Sequence, residues 1–189
     1  MSEFELYSKL GFTHITDLAG YDHILFLIAL CAAFSVKDWR KLLILVTAFT
    51  IGHSLTLVLT AFKMIEVNGN VIEFLIALTI FLTGLGNLIF SSEGKLLRLR
   101  YPLALIFGLI HGMGFSGYFS SLMGKEANIV RPLLYFNIGL ELGQLLIVGG
   151  ILLLDFVACR LLKLPQKWWR IVLSSVAMLV AIWLMVERI

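Results

Sequence analysis

Four histidines carry most of the chemistry this sequence offers. His23, His53 and His111 lie inside long apolar runs, and His14 stands just before the first of them. The same runs hold Asp22, Glu73, Glu141 and Asp155, together with Asn87, Asn137 and Gln144. In lipid, an ionisable group at mid-membrane costs about 2.5–3.5 kcal/mol on insertion scales, so a set of them implies a function. Neutral imidazole and carboxylate are ligands that suit zinc, nickel, cobalt and iron. A site of two or three histidines with one or two carboxylates is chemically coherent. His53, His111 and Glu141 are its expected centre, with Asp22 and His23 nearer one face. The plainer reading of these side chains is a hydrogen-bonded network that ties helices together. Glu73 and Asp155, close to the ends of their runs, read best as ordinary interfacial carboxylates.

The elements that must position these groups follow from composition. The chain has 189 residues, 60% hydrophobic and 14% charged, with a mean hydropathy of +0.97. Soluble domains run at about 45–50% apolar and about 25% charged. A chain of this size cannot hide the excess from water, so lipid must be its solvent. Six apolar runs approach the ~20 residues a spanning helix needs: Gly20–Val36, Leu42–Phe62, Val71–Phe90, Pro102–Leu122, Pro132–Val157 and Ile171–Val186. Pro102 and Pro132 are expected in first helical turns, where a missing N–H is harmless. The expected fold is all-α, a polytopic membrane protein with six transmembrane helices in one bundle over residues 20–187. Residues 1–19 form a separate N-terminal segment. Phe4, Tyr7 and Leu10 recur there at helical spacing, which suits a short helix lying in the interface. Gly11 is expected to end it, and Thr16 or Asp17 to cap the first span.

Orientation follows from the loop cations. Lys37, Arg40, Lys41, Lys95, Arg98, Arg100, Arg160, Lys163, Lys167 and Arg170 flank the odd loops, ten of the fifteen. Lys9, Lys63, Lys125, Arg131 and Arg188 make up the rest. The odd loops are therefore expected in the cytoplasm and both termini outside a bacterial inner membrane. Cys31 and Cys159 then lie towards the reducing side as free thiols. The start, MSEFELYSKL, lacks a basic n-region, so the chain is expected to be uncleaved.

Spacing adds detail around the polar residues. Thr47, Thr50 and Ser54 place hydroxyls on the helix face beside His53. Gly108, Gly112 and Ser116 are small at four-residue steps and invite close helix contact at His111. Asn137, Glu141 and Gln144 share one face, as groups that orient metal ligands do. Phe49-Thr-Ile-Gly52 recurs as Phe136-Asn-Ile-Gly139, 87 residues on. His23 and His111 are separated by 88 residues, as are His53 and Glu141. Three helices per unit would make this an inverted repeat, the architecture of many secondary transporters.

The sequence holds no Walker-type glycine loop, no cysteine pair at metal spacing and no nucleophile elbow. The segments HITDLAGYDHILFL, TAFTIGHSLTL, IEFLIAL, FGLIHGMGFSG and FNIGLELGQL, in this order, resemble the HupE/UreJ family of small bacterial membrane proteins. That resemblance implies a six- or seven-helix permease associated with hydrogenase and urease maturation, carrying nickel or cobalt. By the same likeness His14, Asp22, His23, His53, His111 and Glu141 match the family's polar positions, and Glu73 its third-helix glutamate. The expected function is movement of a divalent transition-metal ion, of nickel, cobalt or zinc, through a histidine and carboxylate site. The alternative is an intramembrane hydrolase with histidine-bound zinc, Glu141 or Asp22 as base and Ser54 assisting. Expected partners are membrane lipid, the metal ion and a second copy of the chain, with no nucleic acid.

Overall fold

Every apolar run folds as helix in the computed structural model, but the first is too short to cross a bilayer. The structure describes residues 1–188 apart from 63, 66–67, 91–94 and 124–128. Lys63 and Lys125, counted among the loop cations, lie outside the described residues. Seven α-helices are described: α1 (Glu3–Thr16), α2 (Asp22–Cys31), α3 (Trp39–Ala61), α4 (Gly69–Ile89), α5 (Lys95–Met123), α6 (Val130–Asp155) and α7 (Gln166–Glu187). Five of them, α3 to α7, are long and apolar enough to span a membrane. This is an all-α polytopic membrane protein.

Several local expectations change. Ser2 caps α1: its Oγ accepts from the Glu5 N–H at 3.2 Å. Glu3 and Glu5 in the first turn favour the same end electrostatically. Gly11 does not end α1, which continues to Thr16. Neither Thr16 nor Asp17 caps α2; Asp17 instead accepts from the Ala19 N–H at 2.9 Å, and Tyr21 is the cap position. Pro132 sits in the first turn of α6 as expected, whereas Pro102 lies two turns inside α5. The Arg98 carbonyl therefore lacks its usual helical donor.

Contacts set the helix directions. α3 and α5 run the same way, with Gly108 against Phe49 and Gly112 against His53. α4 opposes α5, because Thr79 meets His111 and Asn87 meets Arg100. α6 opposes α3: Val36 bonds Asp155 at one end, and His53 stacks on Phe136 towards the other. α1 runs parallel to α6, from Phe4 beside Tyr135 to Ile15 beside Gly143. α2 runs parallel to α4, since Asp22 and Glu73 share Arg188 and Ala29 accepts from Asn87. Hence α1 and α2 point the same way and form one crossing, interrupted at residues 17–21. Their combined 24 helical residues span about 36 Å, enough for a ~30 Å hydrocarbon core. The crossing number stays six, but α1 belongs to the bundle rather than to a separate surface segment.

Two parallel pairs are packed backbone to backbone. A Cβ at Gly108 would overlap the Phe49 carbonyl, and one at Gly52 the Leu105 carbonyl. In α1 and α6, a Cβ at Gly11 would overlap the Phe136 carbonyl and one at Gly139 the Ser8 carbonyl. Small residues permit this approach, which is how helices without a hydrophobic driving force gain contact in lipid. Thr56 adds an interhelical bond, donating to the Leu109 carbonyl at 2.8 Å.

These pairs also correct the repeat. Phe49 and Phe136 play the same part, as their 87-residue spacing suggests, but their partners are Gly108 and Gly11. The counterpart of α5 is α1, not α2. Gly11-x-x-His14 answers to Gly108-x-x-His111, 97 residues apart, so His14 rather than His23 pairs with His111. The units are inverted, since α1 opposes α5 and α3 opposes α6.

Away from the histidines, buried polar groups tie the ends. Asn87 donates to Ala29 O at 2.6 Å and Ser174 Oγ at 3.2 Å, and accepts from Arg100 at 2.9 Å, joining α4 to α2, α7 and α5. Asp155 is buried, accepting from Val36 N at 3.2 Å and Gln166 Nε2 at 2.8 Å. It is thus not the interfacial carboxylate expected there. Gly108→Leu is expected to destabilise the protein by at least about 1–3 kcal/mol, because α3 cannot yield without losing backbone contact. Gly149→Ala, with open space at its Cβ, is expected to be neutral or mildly stabilising. Thermal unfolding of the purified protein in detergent checks both.

Candidate metal centre

The interruption between α1 and α2 creates the site. His14 occupies the last turn of α1 and His23 the first turn of α2, so the break folds them together with ring centroids 4.8 Å apart. His53 reaches them from α3, at 5.7 Å from His14 and 6.0 Å from His23. One ligand nitrogen from each of His14, His23 and His53 falls within 4.8 Å of the other two. Irregular backbone at membrane depth is tolerated where it is buried in protein or lines a water-filled cavity. At the break Asp17 lines a cavity of about 390 Å³, bordered also by Leu10, Thr13, His14, Phe115 and Tyr118.

The nitrogens are buried and bare. His14 Nε2, His23 Nε2 and both ring nitrogens of His53 have no hydrogen-bond partner. Buried polar atoms are almost always paired, and an unpaired one costs roughly 1–3 kcal/mol. Several at one spot are accounted for by a ligand that accepts their lone pairs. Nitrogens at ~2 Å from a tetrahedral ion stand about 3.3 Å apart, so shifts of about 1 Å would close the trio on one. Phenyl rings wall the site: Phe115 and Phe136 stack beside His14, and Phe26 and Phe49 beside His111.

The remaining polar residues are placed around this trio. His111 lies next to His23, at 5.0 Å, but its Nε2 shares a hydrogen bond with the Thr79 hydroxyl at 2.9 Å, leaving Nδ1 bare. Glu141 stands apart, accepting from Thr47 at 2.6 Å, and Gln144 accepts from Thr50 at 2.7 Å. Ser54 donates to the Thr50 carbonyl of its own helix. Asn137 Oδ1 is buried without a partner. Asp22 faces Arg188, Nη2 standing 3.0 Å from Oδ2, and the same guanidinium lies 3.6 Å from Glu73 Oε2. Sequence reasoning passed over two contributors. Arg188 counted only as a terminal cation, and Thr79 carries no signal in IALTIFLTG.

The family described as HupE / UreJ protein matches residues 1–188. The chain belongs to the HupE / UreJ family. No curated protein and no solved structure matches it significantly. The member described here thus brings to the family's membrane bundle a buried cluster of imidazoles with free nitrogens.

Such a donor set fits a borderline divalent ion such as zinc, nickel or cobalt. Because each imidazole must be unprotonated to ligate, Co²⁺ affinity is expected to fall as pH is lowered. His53→Ala is expected to weaken binding by about 100-fold. Asp22→Asn, whose carboxylate is engaged by Arg188, is expected to leave binding unchanged. Equilibrium dialysis with elemental analysis tests all three, and full binding by His53→Ala would remove the trio from consideration.

Proposed function

We propose that this protein is a permease for a divalent transition-metal ion of the nickel and cobalt class, in a bacterial inner membrane with both termini outside. The observation that supports it is the set of bare, buried nitrogens on His14, His23 and His53, of which His14 lines a cavity at the break in the first crossing. Asp17 at the cavity wall attracts the cation, and His14 meets it first. Polar groups continue from the trio along the α3–α6 interface. The pairs Thr50–Gln144 and Thr47–Glu141 line it, with Thr50 about 4.5 Å and Thr47 about 9 Å along α3 from His53. These steps lead towards the Val36 and Asp155 end of the bundle, the end flanked by the greater share of basic residues. A hydrolytic reading needs a base at the ion, and its two candidates are otherwise engaged: Glu141 with Thr47, Asp22 with Arg188.

Glu141→Gln tests the mechanism. Glutamine keeps the volume and an acceptor for Thr47 but removes the charge that would receive the ion. Flux of Ni²⁺ or Co²⁺ into proteoliposomes is expected to fall at least about tenfold, with binding at the trio retained. Wild-type liposomes without flux for nickel, cobalt, zinc, iron or manganese, under either pH gradient, would overturn the permease.

A further inference from the structure

His14 and His111 are the same position in two inverted units. Gly11 and Gly108 each sit three residues before one of them and pack on the carbonyl of Phe136 or Phe49, themselves 87 residues apart. Gly139 and Gly52, also 87 apart, face the carbonyls of Ser8 and Leu105, which are 97 apart like the histidines. Each imidazole stands against a stacked phenyl pair containing the equivalent ring, Phe136 for His14 and Phe49 for His111. His23 stands between the two histidines, 4.8 Å from one ring and 5.0 Å from the other.

Their surroundings nevertheless differ. His14 lines the 390 Å³ cavity and has a bare Nε2, while His111 is fully buried with Nε2 on Thr79. A second cavity, of about 300 Å³, lies between α2, α4 and α5 and stops at Phe107, the counterpart of Leu10 in the first. When inverted units adopt unlike conformations, exchanging them yields a state of similar energy open to the opposite side.

We propose that the four histidines form two overlapping metal positions that share His23 and His53. One is completed by His14, as in this structure, and the other by His111 once it leaves Thr79. Resting on the permease reading for its consequence, the exchange of the two units hands the ion from the first position to the second. Neither histidine alone is indispensable for binding, and both are indispensable for passage.

The test uses the full chain, with Co²⁺ as the probe for equilibrium binding and for flux in proteoliposomes. His111→Ala is expected to bind one Co²⁺ within about threefold of wild-type affinity, yet to lose flux at least about tenfold. His14→Ala is expected to keep one Co²⁺ at affinity reduced by about tenfold, again without flux. The double variant is expected to lose affinity by at least about 100-fold. His14→Gln and His111→Gln, closer in size and polarity, carry the same expectations should an alanine variant fail to fold. The proposal is overturned if His14→Ala alone weakens binding as much as the double variant, or if His111→Ala transports at the wild-type rate. A wild-type protein that shows this binding pattern but no flux would support the two positions while removing the permease reading.

Discussion

Helices in lipid gain little from hiding apolar side chains, so they hold together where their backbones can touch. In this protein the touching is done by Gly11 and Gly139 between α1 and α6, and by Gly52 and Gly108 between α3 and α5. Everything at the centre depends on those two contacts. The first draws α1 down the length of α6 and delivers His14 to mid-bundle; the second fixes the height of His53 relative to His111. A side chain at any of the four glycines would push apart the helices that carry the imidazoles.

The broken first crossing is the other device. Five helices cross without interruption, but α1 and α2 divide one crossing between them and leave irregular backbone at depth. Asp17 at this break borders a cavity, and the two helix ends present His14 and His23 to each other. The charged groups nearby do not join them. Asp22 and Glu73 are drawn to Arg188, which ties α2, α4 and α7 together, while Asn87 fastens the opposite half of the bundle. The carboxylates of Asp22 and Asp155 and the amide of Asn87 are thus engaged, whereas the trio's imidazoles keep bare nitrogens.

The likeness of the two halves explains why a short chain can hold a central site. A unit of about three helices, used twice in opposite senses, surrounds one point from both sides. The second copy omits the extra segment that becomes α2, which is why His23 has no counterpart. Overlap of two imperfectly matched units leaves one histidine exposed to a cavity and its equivalent covered.

Hydropathy and residue type were enough to establish an all-α membrane protein and the number of crossings, and to single out the histidines as candidates. Those properties depend on composition along the chain, and lipid acts on each segment separately. The small residues at Gly108 and Gly112 likewise announced a close helix contact, because only steric size was at issue. What tertiary structure alone decided was which polar groups meet. His14 lies outside the apolar runs, and only the course of α1 along α6 makes it a neighbour of His23 and His53. Glu141 and Asp22 have the right chemistry for ligands, yet Thr47 and Arg188 stand closer to them than the trio does. The repeat was visible in Phe49 and Phe136, but its register in the first helix was not. Ten additional residues shift the offset from 87 to 97, and only backbone contact identifies Gly11 and Gly108 as equivalent. Spacing along a chain reports which groups share a helix face; proximity between helices is a property of their packing.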